Sequence, residues 1–243
     1  MTKHKTLALA LPLVLGLAVL VVPRRSGQEQ STLSKSSVLK SRRKVIDTNH
    51  FPIAEFSSSQ PSDSKRRARG EKRNKSKWNV DSDTLSDSTV IVDSVDVYLN
   101  AFPTRQAAAV VVGTITEAKA YLSNDKTGVY STFSVLIEEV LKNPGKLKIG
   151  DLVEAEREGG CVKFPSGRVH LYMVSEQDMP RLGSRYVLFL TETNSESVFE
   201  ILTGYGLREG SVYPLDDLPK SRFYENATLT KFLNDLKANL AQP

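Results

Sequence analysis

The sequence predicts a mainly β domain over residues 89–243, a small antiparallel barrel or curled sheet of about six strands with a C-terminal helix packed on it. Two observations carry this prediction. Residues 129–141 alternate apolar and polar side chains, which is typical of a half-buried strand. Residues 229–240 place leucine and phenylalanine at i, i+3, i+4, i+7 and i+11, which forms one apolar stripe on a helix.

Charge is distributed unevenly along the chain. Residues 1–90 carry 17 Lys and Arg against 8 Asp and Glu, whereas residues 91–243 carry 16 against 20. Large apolar side chains are dense only in the second part. Because a core needs that density, we expect one folded domain over residues 89–243 and a disordered basic segment over residues 26–88.

Residues 1–25 have the composition of a targeting segment. An uncharged apolar run of 16 residues, 7–22, follows the basic residues Lys3 and Lys5. This length suits a signal peptide and is shorter than the about 20 residues of a membrane-spanning helix. A cleaved signal peptide and an uncleaved hydrophobic membrane-anchor helix both remain open. Either one predicts export of the domain, as a secreted protein or as one anchored to the cell membrane.

Three basic clusters lie within residues 26–88, at 40–44, 65–69 and 72–77. The favoured interpretation is a solvated linker that its own charge keeps extended. The alternative is contact with an anionic surface, such as lipid head groups, acidic glycans or nucleic acid. The isolated aromatic residues of this segment are too few to form a stacking platform, so we expect no specific nucleic acid partner.

The folded part divides into apolar segments separated by turn signals. Gly113 lies inside the first long strand and indicates a bulge, and residues 159–160 indicate a corner of the sheet. Residues 185–191 are apolar on both faces, so this strand is expected at the centre. Gly204 and Gly206 are expected in the turn that follows the last long strand. The predicted strands cover residues 108–122, 129–141, 152–158, 168–175, 185–191 and 198–203, with a short edge segment at 211–214 and Thr228 as the N-cap of the helix.

Cys161 is the only cysteine, so the chain can form no intramolecular disulfide and no cysteine-based zinc site. It follows a Gly-Gly pair and is expected to be a small buried residue. A catalytic thiol needs a base beside it, and His170 lies in the same predicted hairpin. We do not favour that pairing, because no other feature of a nucleophile site accompanies it.

Glu154, Glu156 and Glu158 form the densest acidic group of the folded part. Alternate residues of a strand share one face and lie about 6–7 Å apart, which is compatible with a glycosidase-like pair of carboxylates with His170 as a base. The favoured interpretation is a solvated strand face that pairs with Arg168 on the opposing strand. P-loop, GxGxxG, GxSxG and HExxH motifs are absent from the sequence. We therefore assign no catalytic, cofactor-binding or metal-binding residue and no cofactor.

The order of elements resembles that of the netrin-type module and of the tissue inhibitors of metalloproteinases, which are oligonucleotide/oligosaccharide-binding (OB) barrels. The resemblance is carried by residues 109–115, 138–142, 149–151 and 183–190 and by the terminal helix, and it covers roughly residues 105–240. The pattern also resembles that of exported bacterial β-domain proteins. The inhibitors use an N-terminal cysteine and several disulfides, which this chain lacks, so the resemblance implies a fold and no inhibitory residue.

Two functions follow as hypotheses. The first is an exported, non-catalytic binding or structural module for a protein or polysaccharide ligand. That ligand would meet the polar face of the barrel or the loops at residues 123–128 and 164–167. The alternative is an envelope enzyme that uses Glu154, Glu156 and Glu158 with His170. The first is favoured, because residues able to do chemistry are sparse.

Overall fold

The computed structural model describes residues 48–57, 62–76, 78, 80, 89–92, 99–143, 145, 147–193 and 198–242. These ranges contain two α-helices, α1 (Ser64–Lys72) and α2 (Leu229–Leu240). They also contain strands β1 (Ile53–Glu55), β2 (Thr89–Val92), β3 (Ala109–Leu122), β4 (Val129–Lys142), β5 (Leu152–Glu158), β6 (Gly160–Lys163), β7 (Val169–Val174), β8 (Arg185–Glu192), β9 (Val198–Arg208), β10 (Ser211–Pro214) and β11 (Ala227–Thr228). The prediction of a mainly β fold with a C-terminal helix is confirmed.

The longer of two sheets has seven strands in the order β11-β10-β9-β5-β4-β3-β8, and β8 also pairs with β9. Its longest strands form the β3–β4 hairpin and are 14 residues each. Neighbouring strands run antiparallel except β5 and β9, which are parallel. The bulge predicted at Gly113 is confirmed, because the β3–β4 register shifts between Val112 and Gly113.

The shorter sheet has the order β1-β6-β7-β2. β6 and β7 form an antiparallel hairpin, and β1 and β2 add to its two sides in parallel. The chain passes from the long sheet to the short one at Gly159 and Gly160, which have φ angles of 107° and 144°. Side chains rarely adopt these angles, and a Cβ on Gly160 would lie 2.8 Å from Ser131 Oγ. The predicted corner is therefore confirmed.

Helix α2 closes one face of the long sheet. Phe232 and Leu236 are fully buried among side chains of the sheet that include Phe189 and Tyr205. Thr228 caps the helix, since its hydroxyl accepts a hydrogen bond from the Lys231 N–H at 3.3 Å. Burial of each of these two side chains contributes about 2–3 kcal/mol, so the predicted apolar stripe is what holds the helix in place.

The structure differs from the prediction in the number of strands and in the N-terminal segment. Ten strands, β2 to β11, lie in the described part of residues 89–243, where about six were predicted. The expectation of disorder over residues 26–88 is wrong for residues 48–57 and 62–76, where β1 pairs with β6 and α1 packs on the long sheet. Trp78 is also buried. The physical reasons are that Phe51, Ala54 and Trp78 are buried in the core and that Arg69 and Arg73 meet carboxylates of the domain.

The described residues contain no helix long and apolar enough to cross a membrane. The apolar run at residues 7–22, on which the predicted signal peptide or membrane anchor depends, lies outside the described residues.

Candidate functional site

Helix α1 is a short basic helix that carries three arginines on one side. Asp63 caps its N-terminus and accepts a hydrogen bond from the Lys65 N–H at 3.0 Å. Arg66, Arg69 and Arg73 follow at i, i+3 and i+7, so they share one side, and that side faces the sheet. Helices shorter than about 12 residues are marginal in isolation, so docking on the domain is what keeps α1 helical.

The arginines of α1 pair with carboxylates on the outer face of β5. Arg69 donates to Glu154 from both terminal nitrogens, and the Nη2–Oε2 distance is 2.8 Å. Arg69 Nε lies 3.2 Å from Glu156 Oε1, and Arg73 Nη2 donates to Glu156 Oε2 at 2.6 Å. The hydrogen bond to Glu154 raises the pKa of the Arg69 guanidinium. Because the Glu156 side chain is only 3% exposed, its pairs are poorly screened and are stronger than ordinary surface pairs.

Two tyrosine rings complete the contact. The Arg66 guanidinium carbon lies 4.4 Å from the ring centroid of Tyr121 on β3, and that of Arg73 lies 4.4 Å from the ring centroid of Tyr130 on β4. Burial raises the pKa of Tyr130 to about 12, so its hydroxyl stays neutral at physiological pH. We call the surface formed by Tyr121, Tyr130, Glu154 and Glu156 the acidic–aromatic face.

The loop between β3 and β4, residues 123–128, holds the other side of α1. The Asn124 N–H donates to Gly70 O at 3.4 Å, and Asn124 Nδ2 donates to Arg67 O at 2.9 Å. A Cβ on Gly70 would lie 2.3 Å from Asn124 Oδ1 and 3.3 Å from Asn124 N, so a larger residue would force the Asn124 side chain to move. The loop predicted to meet a ligand is therefore in contact with a segment of the same chain.

Asp125 extends the contact beyond the end of α1. Its carboxylate accepts hydrogen bonds from the Lys75 N–H at 2.6 Å and from the Ser123 hydroxyl at 2.7 Å. Desolvation acts to raise the pKa of Asp125, but these hydrogen bonds, with those from Thr127, outweigh it and lower the pKa to about 2. Asp125 thus stays ionised wherever the protein is folded near neutral pH.

The structure separates the residues proposed for the enzyme. Cys161 pairs with Leu171 and joins the main core cluster, whereas His170 pairs with Val162, one position further along β6. Adjacent residues of a strand point to opposite faces, so the thiol and the imidazole do not face each other. Both side chains are buried, and burial raises the pKa of Cys161 to about 11.

The expected partner of the glutamates was also wrong. We expected Arg168 on a strand opposite β5, but β5 lies between β4 and β9, and β7 belongs to the other sheet. Glu154 and Glu156 pair with Arg69 and Arg73 instead, and Glu158 is exposed at the end of the strand. The signal for this contact was present in the sequence as arginines at i, i+3 and i+7 in one segment and alternate glutamates in another.

A second charged cluster, which the sequence did not predict, is buried inside the domain. Arg157 points to the side of β5 opposite Glu156 and is 2% exposed. Its Nη2 donates to Asp216 Oδ2 at 2.6 Å, and its Nη1 donates to Asp178 O. Asp216 also accepts a hydrogen bond from the Asp178 N–H at 3.1 Å. The cluster ties β5 to two loops and forms part of the wall of a cavity of about 720 Å³.

Comparison of the chain with protein-family models, with curated proteins and with solved structures finds no match. The described residues contain no group of three or more His, Cys, Asp or Glu side chains placed to hold a metal ion. The chemistry of the acidic–aromatic face and of α1 is therefore the basis for a functional proposal.

Proposed function

We propose that this chain is an exported, non-catalytic binding module with an OB-type barrel, whose basic segment contacts an anionic surface. The barrel is supported by the pairings β3–β4, β4–β5, β5–β9, β9–β8 and β8–β3, which return to the strand from which they began. An OB barrel has five strands in a closed or partly open arrangement. An experimental structure in which β8 and β9 do not pair would contradict this part of the proposal.

A binding role is favoured because the polar groups of the site are paired rather than poised for proton transfer. Glu156 contacts both Arg69 and Arg73, and Glu154 is engaged by Arg69. A general acid or base needs a free position for its proton. The enzyme alternative gains no supporting observation, since His170 and Cys161 lie on different faces of the other sheet.

The observation that carries the proposal is that some basic residues around α1 contact the sheet whereas others are exposed. Three arginines face the sheet, whereas Lys65, Arg67, Lys72 and Lys75 are exposed. Docking of α1 therefore leaves four cations exposed around the helix, with one acidic residue of the helix, Glu71, among them. A basic residue near an anionic membrane contributes about 1 kcal/mol, so four act as an effective contact.

Export and surface display are part of the same proposal. They rest on the apolar run at residues 7–22, which suits a signal peptide or an anchor. A contact between the basic segment and lipid head groups would hold the domain against the membrane surface, whether or not the run is cleaved. The domain itself would then bind a separate protein or polysaccharide ligand.

The test is binding of the full chain to vesicles of phosphatidylglycerol and phosphatidylcholine, measured by co-sedimentation at several salt concentrations. The test variant replaces the four exposed basic residues around α1, as K65Q/R67Q/K72Q/K75Q. The control makes the same charge change at exposed positions elsewhere, as K148Q/R208Q/K220Q/K237Q. We expect the first variant to bind at least about tenfold more weakly and the control to bind almost normally. Equal binding by both variants would refute the contact.

A further inference from the structure

Helix α1 is held on the domain almost entirely by charge. Its sequence, SKRRARGEK, contains no large apolar residue, and Gly70 is its only buried residue. The contact therefore consists of ion pairs, cation–π contacts and hydrogen bonds to the loop at residues 123–128. Because no apolar side chain of α1 anchors the helix, α1 is among the parts of the fold most easily replaced.

The face beneath α1 is larger than the helix. Leu152 precedes Glu154 on the same side of β5, and Leu136 is its Cα partner on β4. These leucines are 64% and 38% exposed, and Ile149, just before β5, is 72% exposed. The apolar patch lies about 7 Å beyond Glu154 along the strand. A single surface thus joins two carboxylates, two tyrosine rings and an apolar extension that α1 does not bury.

We propose that the acidic–aromatic face, together with Leu136 and Leu152, is the docking site for a basic amphipathic helix of a partner protein, and that α1 occupies this site until the partner replaces it. The inference rests on the proposed binding function and names the class of its protein ligand. It does not depend on the anionic-surface contact, which uses the opposite side of α1.

The chemistry of the face selects the occupant. Departure of α1 without a replacement would leave the carboxylates of Glu154 and Glu156 without their guanidinium partners. Exchange for another cationic helix avoids that loss, and arginines at i, i+3 and i+7 reproduce the contacts. The carboxylates repel the phosphates of nucleic acid. A second copy of this chain gains nothing from the exchange, because its own α1 offers no apolar side chain to Leu136 and Leu152.

The direct test uses two synthetic peptides as probes, measured by fluorescence anisotropy. The short probe has the sequence of residues 62–76, and the long probe extends it at each end by Leu-Ala-Ala-Leu. We expect the full chain carrying R66Q/R69Q/R73Q, in which α1 is weakly held, to bind both probes at least about tenfold more tightly than the wild type. Adding E154Q/E156Q should abolish that binding. Equal binding by the wild type and the triple variant would overturn the proposal.

The apolar part of the site has its own control. The long probe should bind more tightly than the short one, and L136S/L152S should remove that gain without changing binding of the short probe. No difference between the two probes would overturn the assignment of the leucines. Sedimentation velocity tests whether the wild type self-associates. Self-association that E154Q/E156Q abolishes would mean that a second copy of the chain occupies the site, which would also overturn the proposal.

Hydrogen exchange on the wild type tests the replacement of α1 without relying on variants that could fold poorly. The amides of Lys75 and Ser76 donate to Asp125 and Thr127 while α1 is docked. A saturating concentration of the long probe should increase their hydrogen exchange by about tenfold or more, while the amides of α2 remain unchanged. Unchanged exchange at saturation would show that the probe does not replace α1. Failure of the chain to bind vesicles would leave these peptide results unaffected. The anionic-surface contact and the docking of a partner helix can therefore be refuted independently.

Discussion

Replacement of Arg157 tests how much the buried charge cluster contributes to stability. Arg157 and Asp216 have side chains that are 2% and 0% exposed, and they are joined at 2.6 Å. Arg157→Met leaves the Asp216 carboxylate buried, with the Asp178 N–H as its remaining hydrogen-bond donor among the contacts described above. Breaking a buried pair by removing one partner costs about 3–5 kcal/mol. For a domain of this size, this corresponds to a decrease in Tm of about 6–20 °C.

The assay is equilibrium unfolding in urea, followed by circular dichroism, for Arg157→Met, Asp216→Leu and the double variant. The double variant removes both charges, so its free energy of unfolding should exceed the value expected from additivity by about 2 kcal/mol. The control is Asp217→Asn, which breaks the exposed pair with Arg222 and should cost less than about 1 kcal/mol.

Two results would refute the reasoning about this cluster. One is a loss below about 1 kcal/mol for Arg157→Met, which would mean that water or a neighbouring group takes over the contacts of the guanidinium. The other is strict additivity in the double variant, which would show that Arg157 and Asp216 act independently.

Three further predictions concern the docked helix, the C-terminal helix and pH. Gly70→Val should undock α1 and increase hydrogen exchange at the Ser76 amide by about tenfold or more. The control Ala68→Val, on the exposed side of α1, should leave this exchange unchanged, and equal exchange in both variants would contradict the steric argument. Leu236→Ala should lower the free energy of unfolding by about 2–5 kcal/mol in urea titrations, and a loss below 1 kcal/mol would mean that α2 is not held by this side chain. The pKa of Asp125 is lowered from 3.8 to about 2, so its contribution to the free energy of unfolding is complete above about pH 4 and is lost as pH falls through 2. Because the group is exposed, Asp125→Asn should remove at most about 1 kcal/mol of this acid-dependent stability.

The elements with strong local patterns were predictable from the sequence. The alternation at residues 129–141 corresponds to β4, and the apolar stripe at 229–240 corresponds to α2 with its Thr228 cap. In both cases the apolar side chains that define the pattern pack against the core, and in α2 Phe232 and Leu236 are fully buried. The bulge at Gly113 and the corner at residues 159–160 were also predictable, because a bulge and a bend are among the common roles of glycine within or between strands.

Helix α1 was not predictable in this way. Its residues are polar and charged, and such a composition is typical of a solvated segment. The helix forms because Arg69 and Arg73 meet glutamates that are more than 80 residues away in the sequence. A local pattern shows charges that are able to pair but does not show which partner they meet, so the candidate site came from the structure although the sequence indicated Glu154 and Glu156 as an acidic group.

The end of β9 shows a second limit of local patterns. Gly204 and Gly206 were expected to form a turn, but both lie inside the strand. A Cβ on Gly204 would lie 2.9 Å from Leu188 Cδ2, so the missing side chain leaves space for the neighbouring strand β8. Glycine marks a close approach here, and the sequence alone does not distinguish that from a change of direction.

The position of β9 determines when the domain can complete its folding. This strand pairs with β5, β8 and β10, and its first residue, Val198, follows both β5 and β8 in the sequence. Until it is available, β5 and β8 each have an edge with unpaired backbone groups, which are prone to self-association. The pairing of β9 with β5 joins Val198 to Glu154, and such long-range pairings make folding slow.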